Sequence, residues 1–122
     1  MSSNSVARPA WQVGGQRIVT NIISIQKNQD AMDKTFELLV RFLEQVRENE
    51  PGCQLFLVNR DDVNFQFVTY EMYKDAECVK HHLQTDYIKE LLKAEDDNNL
   101  KRAENDIHRE MLVAQIGPRN MD

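Results

Sequence analysis

Four side chains in this sequence have the chemistry and the spacing to act together on a small molecule: His82, Glu71, Tyr73 and Asn21. His82 carries a group that titrates near neutrality, so it can take a proton from a substrate or return one. Its structural alternative is a helix-end histidine that interacts with the last carbonyls and the helix dipole. Cys78 precedes it by four residues, which puts thiol and imidazole on one helix face. Two donors fall short of the three or four that a metal site needs, and the adjacent His81 points elsewhere, so no metal is expected. Glu71 and Tyr73 stand two apart in a β-patterned run and therefore share a face. A partly buried Glu71 can serve as a general base, or it can pair with a Lys or His across the layer. Tyr73 can donate to a substrate oxygen and pack its ring on a flat molecule. Asn21 interrupts a run rich in Ile, Val and Thr, where an unpaired buried amide would cost about 1–3 kcal/mol. It either orients a substrate carbonyl or dioxygen, or bonds the sheet edge or a partner subunit.

The elements that must hold these groups follow from periodicity. Residues 17–27 alternate and are β-branched, a first strand. Asp30 is expected to cap a helix over 31–49, where Phe36, Leu39, Val40, Leu43 and Val46 recur at helical spacing and Leu38 and Phe42 widen the stripe. Two apolar flanks predict that this helix is buried more deeply than an ordinary surface helix. Glu50-Pro51-Gly52 stops it, since Pro disfavours helix in the residue before it and Gly permits a reversal. Residues 54–60 and 65–73 read as strands joined by a loop at Asp61-Asp62-Val63-Asn64. On the second of these, Phe65, Phe67, Thr69, Glu71 and Tyr73 face one way, and Val68, Tyr70 and Met72 the other. Neither face is plainly solvent, which predicts cover on both sides. Asp75 caps a short helix bearing His82, and Thr85 or Asp86 caps the next, through about 93. Residues 94–105 are polar, and residues 110–116 are expected to form the last strand. The order β-α-β-β-α(α)-β is that of an α+β, ferredoxin-like domain with an antiparallel sheet. We assign residues 17–117 to it, 1–16 to a flexible arm containing Trp11, and 118–122 to a tail.

The bulk composition narrows the partners. A chain of 122 residues, 41% hydrophobic and 29% charged, is one domain able to bury a core. Twenty acidic against fifteen basic residues, a formal charge of −5, argue against nucleic acid or anionic membrane as partners. No apolar run approaches the roughly 18 residues of a membrane span, and residues 1–16 lack the centre of a secretion signal, which predicts a cytoplasmic protein. Cys53 and Cys78 are too few for a disulfide framework and are expected to be small buried hydrophobes.

Glu50-Pro51-Gly52-Cys53 leading into a strand, and Tyr70-Glu71-Met72-Tyr73-Lys74-Asp75 leading into a helix with His82, resemble the antibiotic biosynthesis monooxygenase family of dimeric α/β barrels. The resemblance runs over about residues 17–116 and looks closest to the small quinol-oxidising and the autoinducer-2 phosphate-processing members. It implies a homodimer whose two sheets meet in a barrel, with a pocket in each protomer between sheet and helices. His82 matches the family's helical His. Asn21 lines up with a pocket Asn, and Tyr73 with a pocket Trp, of the haem-degrading members. The axial His of those members falls on Leu92, so haem degradation is not expected.

No phosphate-cradling Gly-rich loop, nucleophile elbow or dinucleotide fingerprint is present in the sequence, so no cofactor is expected. The expected function is a cofactor-independent, monooxygenase-like oxidoreductase of a small quinol, phenolic or enolisable substrate. His82 and Glu71 would be catalytic, Asn21 and Tyr73 substrate-binding. The alternatives are a non-catalytic dimeric barrel that binds a small molecule, or an isomerase of a sugar-like phosphate.

Overall fold

The computed structural model describes residues 17–102 with their side chains and the backbone of 106–111. Among the described residues seven elements follow one another: β1 (Ile18–Ile25), α1 (Gln29–Asn49), β2 (Cys53–Asp61), β3 (Gln66–Tyr73), α2 (Ala76–Leu83), α3 (Asp86–Asp97) and β4 (Asp106–Met111). The strands form one antiparallel sheet in the order β2-β3-β1-β4, which is the ferredoxin-like topology expected. The proposed arm at 1–16, with Trp11, and the tail at 118–122 lie outside the described residues.

Register fixes which side chains meet. Thr20 stands opposite Glu71, Ile22 opposite Thr69 and Ser24 opposite Phe67, while Phe56 stands opposite Glu71 from the other side. These residues face the helices. The opposite face carries Asn21 beside Tyr70 beside Leu57, and Met72 beside Leu55. In the single chain Leu55, Leu57 and Tyr70 remain exposed, Leu57 to 49%. The helices therefore cover one face of the sheet only.

Three local outcomes differ from expectation. The cap of α1 is Asn28, whose side chain accepts from the Ala31 N–H at 2.8 Å, and Asp30 sits within the first turn, where its charge suits the helix N-terminus. Only one stripe of α1 is buried, through Ala31, Met32, Thr35, Leu39, Phe42 and Val46. Phe36 and Val40 stay exposed on the second flank, and the Arg60 guanidinium lies 5.3 Å above the Phe36 ring. Finally, the last strand spans Asp106–Met111, earlier than expected, and residues 112–116 lie outside the described residues. Charged Arg109 and Glu110 inside it mask the alternation, as is common on an edge strand.

Candidate active site

The polar groups of the helix-facing layer converge on one buried cluster. His82 is 4% exposed, Glu71 2%, Glu50 4% and Tyr73 1%. Burying two carboxylates is costly unless each finds partners. Here both do. Glu71 accepts from the Thr69 hydroxyl at 2.8 Å through Oε2 and from the Tyr73 hydroxyl at 2.5 Å through Oε1. Glu50 accepts from the Tyr87 hydroxyl and stands 2.8 and 3.0 Å from His82 Nδ1 through its two oxygens.

That geometry assigns the imidazole tautomer. An ionised carboxylate only accepts, so Nδ1 must donate to Glu50. Nε2 is then the lone-pair nitrogen of the neutral ring. It lies 3.8 Å from Glu71 Oε1, too far for a hydrogen bond. The ring is seated by aromatics, with Phe42 edge-on at 5.7 Å, Tyr73 at 5.3 Å and Phe56 at 6.1 Å between centroids. Burial first, and the Glu71 charge second, push the Tyr73 hydroxyl far above its ordinary range, so Tyr73 is a fixed donor and not a base. Tyr87 is raised likewise by burial and by Glu50.

Glu50 reaches His82 across 32 residues because of how α1 ends. Its backbone N–H still donates to Val46 at 2.9 Å, so its side chain is carried on the last turn. Pro51-Gly52 then turns the chain directly against α2. A Cβ on Gly52 would lie 2.3 Å from Cys78 Sγ, so only glycine permits this approach, and the Lys74 N–H ties the turn down by donating to the Gly52 carbonyl at 2.9 Å. On the other side, Asp75 caps α2 by accepting from the Cys78 N–H at 3.0 Å, which aims the helix so that His82 points inward. Thr85 caps α3 and thereby sets Tyr87.

His82 and Glu71 also line a cavity of about 80 Å³ between sheet and helices. Its walls are Ile22, Leu39, Phe42, Phe67, Ile88 and Leu91, with Leu92 at the outer side. Leu92 contributes an apolar side chain and no donor atom for a metal. Neither cysteine is activated: Cys53 is pushed up to about 11 by burial and the nearby Glu50 and Glu71, and Cys78 is raised by burial and Asp75. Both thiols are half-buried.

Of the four residues singled out by sequence, three meet and one does not. His82, Glu71 and Tyr73 form the cluster. Asn21 is placed on the opposite, uncovered face, at the level of Tyr70, and its Oδ1 is buried without a hydrogen-bond partner among the described residues. Glu50 was read only as part of a helix stop. One signal pointed to more: a carboxylate at a helix C-terminus opposes the dipole and needs another reason to be there.

Fold relatives share this frame. A Caulobacter crescentus CB15 protein, named as a candidate antibiotic biosynthesis monooxygenase, superposes with a TM-score of 0.71 at 20% identity, over 81% of this chain and 92% of that one. Rv0793 from Mycobacterium tuberculosis gives 0.72 at 13% identity, over 83% and 99%. A conserved protein from Methanosarcina mazei Go1 gives 0.70 at 17%, over 80% and 93%. At these identities the likeness shows the fold alone. No curated protein matches the chain. The antibiotic biosynthesis monooxygenase family model does match it, over residues 18–94, from β1 through α2 and most of α3. That span contains Glu50, Glu71, Tyr73 and His82, and the chain belongs to the antibiotic biosynthesis monooxygenase family.

Proposed function

We propose that this chain is a cofactor-independent, monooxygenase-like oxidoreductase that deprotonates a small quinol or phenol in the helix-side cavity and exposes the resulting anion to dioxygen. The observation that carries this reading is His82, with Nδ1 tied to Glu50 and Nε2 free beside Glu71 and the cavity. A substrate hydroxyl donates to Nε2, and the proton moves onto the ring. The imidazolium then lies between two carboxylates, which lowers the cost of forming it in a dry site. Glu71, filled by Thr69 and Tyr73, stabilises the charge on His82 and leaves the proton transfer to it. An electron-rich hydroquinone anion reacts with dioxygen without a further reductant. One oxygen atom enters the ring and the other leaves as water, so that hydroquinone and O₂ give hydroxyquinone and H₂O.

Electrostatics separates this from a sugar-phosphate isomerase. Glu50 and Glu71 flank His82, so among the described side chains a phosphate brought there meets carboxylates. A non-catalytic small-molecule barrel is the second reading, favoured by the cavity's modest size. In either case we place a second copy of the chain on the open sheet face, where Leu55, Leu57 and Tyr70 are uncovered.

Oxygen uptake with a panel of hydroquinones tests the reading. Purified protein is expected to consume dioxygen and to place ¹⁸O from ¹⁸O₂ in the ring, and His82→Ala to lower the rate by about tenfold or more, the scale of a lost general base. No uptake across the panel would leave the binding barrel as the function.

A further inference from the structure

The cavity has a second ionisable end that proton transfer at His82 does not use. Glu95, on α3, lines the same cavity as His82 and Glu71 and is 5% exposed. It lies eight residues beyond Tyr87, an advance of about 12 Å along a helix, whereas Tyr87 marks the Glu50–His82 end. Glu95 is therefore a cavity's length away, near Ser24 and Thr35, which line the far end and are joined through Gln26 by hydrogen bonds of 2.8 Å.

The turn after α3 builds this end. Asn99 adopts a left-handed conformation with φ 53°, and the Leu100 N–H returns to the Glu95 carbonyl at 3.1 Å. Leu100 is buried, its carbonyl accepts from the Lys27 N–H at 3.0 Å, and Lys101 bridges to Gln26. Lys101 Nζ thus comes within 3.0 Å of Glu95 Oε2. It lies off the direction of a proper hydrogen bond, and Oε2 has no hydrogen-bond partner among the described residues. The ammonium balances the charge and leaves Oε2 without a hydrogen bond of proper geometry among the described residues. Burial meanwhile raises the Glu95 carboxyl above its ordinary range, with Lys101 opposing.

Between the two ends the walls are apolar. The geometry points to Glu95 as the specificity-determining acceptor for a single-ring para-diol, with one hydroxyl donating to His82 Nε2 and the opposite hydroxyl donating to Glu95. This rests on the quinol reading and names its substrate class. An ortho-diol puts both hydroxyls at one end and leaves Glu95 unpaired. A para-alkoxyphenol lacks the second donor, and a ring carboxylate brings a like charge to Glu95. At about 80 Å³ the cavity is smaller than the roughly 150 Å³ known to hold benzene, so more than one ring is excluded and a single ring requires the walls to move apart.

Anaerobic calorimetry with benzene-1,4-diol, benzene-1,2-diol and 4-methoxyphenol tests the assignment. The protein is expected to bind the para-diol about fivefold or more tightly than either competitor, the value of one hydrogen bond to a buried acceptor. In Glu95→Leu/Lys101→Met, which removes acceptor and counter-charge together, the para-diol preference should fall to near unity while 4-methoxyphenol affinity stays roughly constant. If that variant does not fold, Glu95→Asp, which withdraws the carboxylate by one methylene, must still reduce the preference by about half or more. Equal affinities in the unsubstituted protein, no binding of the para-diol, or an undiminished preference in the variant that folds would each overturn the assignment. Oxygen uptake reads the other claim separately. Discrimination without uptake keeps Glu95 and sinks the oxidoreductase. Uptake with equal kcat/KM on para-diol and ether does the reverse.

Discussion

His82 is useful only because two carboxylates treat its two nitrogens differently. Glu50 accepts the hydrogen bond from Nδ1–H at 2.8 Å, and Glu71 lies 3.8 Å from Nε2. Replacing Glu50 by Gln keeps the size but lets the amide donate toward Nδ1, which moves the ring proton to Nε2 and removes the base. Under the proposed chemistry Glu50→Gln is expected to lower kcat by about two orders of magnitude or more with little change in KM, as tautomer loss does in other His–carboxylate pairs. Steady-state oxygen uptake checks it, and an unchanged kcat would mean that Nε2 is not the working atom. Cys53 reports on the same cluster from outside. Burial, Glu50 and Glu71 raise its thiol from 9.0 to about 11, so the reactive thiolate is suppressed below that pH and rises as pH approaches it. Alkylation of Cys53 followed by mass spectrometry is expected to reach half its limiting rate near pH 11, where an ordinary thiol would reach it near 9. At this scale the sequence was half legible. His82, Glu71 and Tyr73 could be grouped because each sits at a fixed period within its own element. Glu50 could not, because its partner lies 32 residues away, and the face on which Asn21 stands relative to Glu71 follows only from strand register.

The elements were legible where a local signal settles them. Asp75 and Thr85 cap α2 and α3 as read, and Pro51-Gly52 ends α1. Asn28 was missed because it and Asp30 are both good caps two residues apart, and only the backbone conformation distinguishes them. The turn at Gly52 has a consequence no local signal carries, since it brings Glu50 and α2 together. Gly52→Ala would force a Cβ to 2.3 Å from Cys78 Sγ and 3.0 Å from its Cβ, so the turn must move off α2. A loss of about 1–3 kcal/mol in denaturant unfolding is expected, the usual cost of overpacking, with a fall in activity as Glu50 is drawn from His82. Cys78→Ala removes the nearer atom and should recover part of both losses in the double variant. Additive losses would show that the glycine matters for another reason.

Among the described residues the molecule is a sheet covered by helices on one face. Its helix side holds the core around Met32, Leu39 and Phe67 and every buried acid–base group described above. Its other side carries Leu55, Leu57 and Tyr70 across two strands, contiguous by register and exposed in one chain. The pattern of β3 predicts cover on both faces, because an antiparallel strand wet on one face would show polar residues there, and the described helices supply it on one. A patch of large apolar side chains on a regular sheet is costly to leave in water, and the simplest cover is its own copy, which presents the same patch about a two-fold axis. None of the described helices is long and apolar enough to cross a membrane, so no span competes for that role among them. Light scattering at micromolar concentration is therefore expected to give twice the chain mass. Leu57→Lys places a charge at the centre of the patch without touching the helix side, and should yield a monomer with unchanged far-ultraviolet circular dichroism. Because Glu50, His82, Glu71 and Glu95 all lie beneath the helices of one chain, that monomer should still bind a small ligand. A variant that loses its partner and its ligand together would place part of the site on the far side of the sheet, where Asn21 stands.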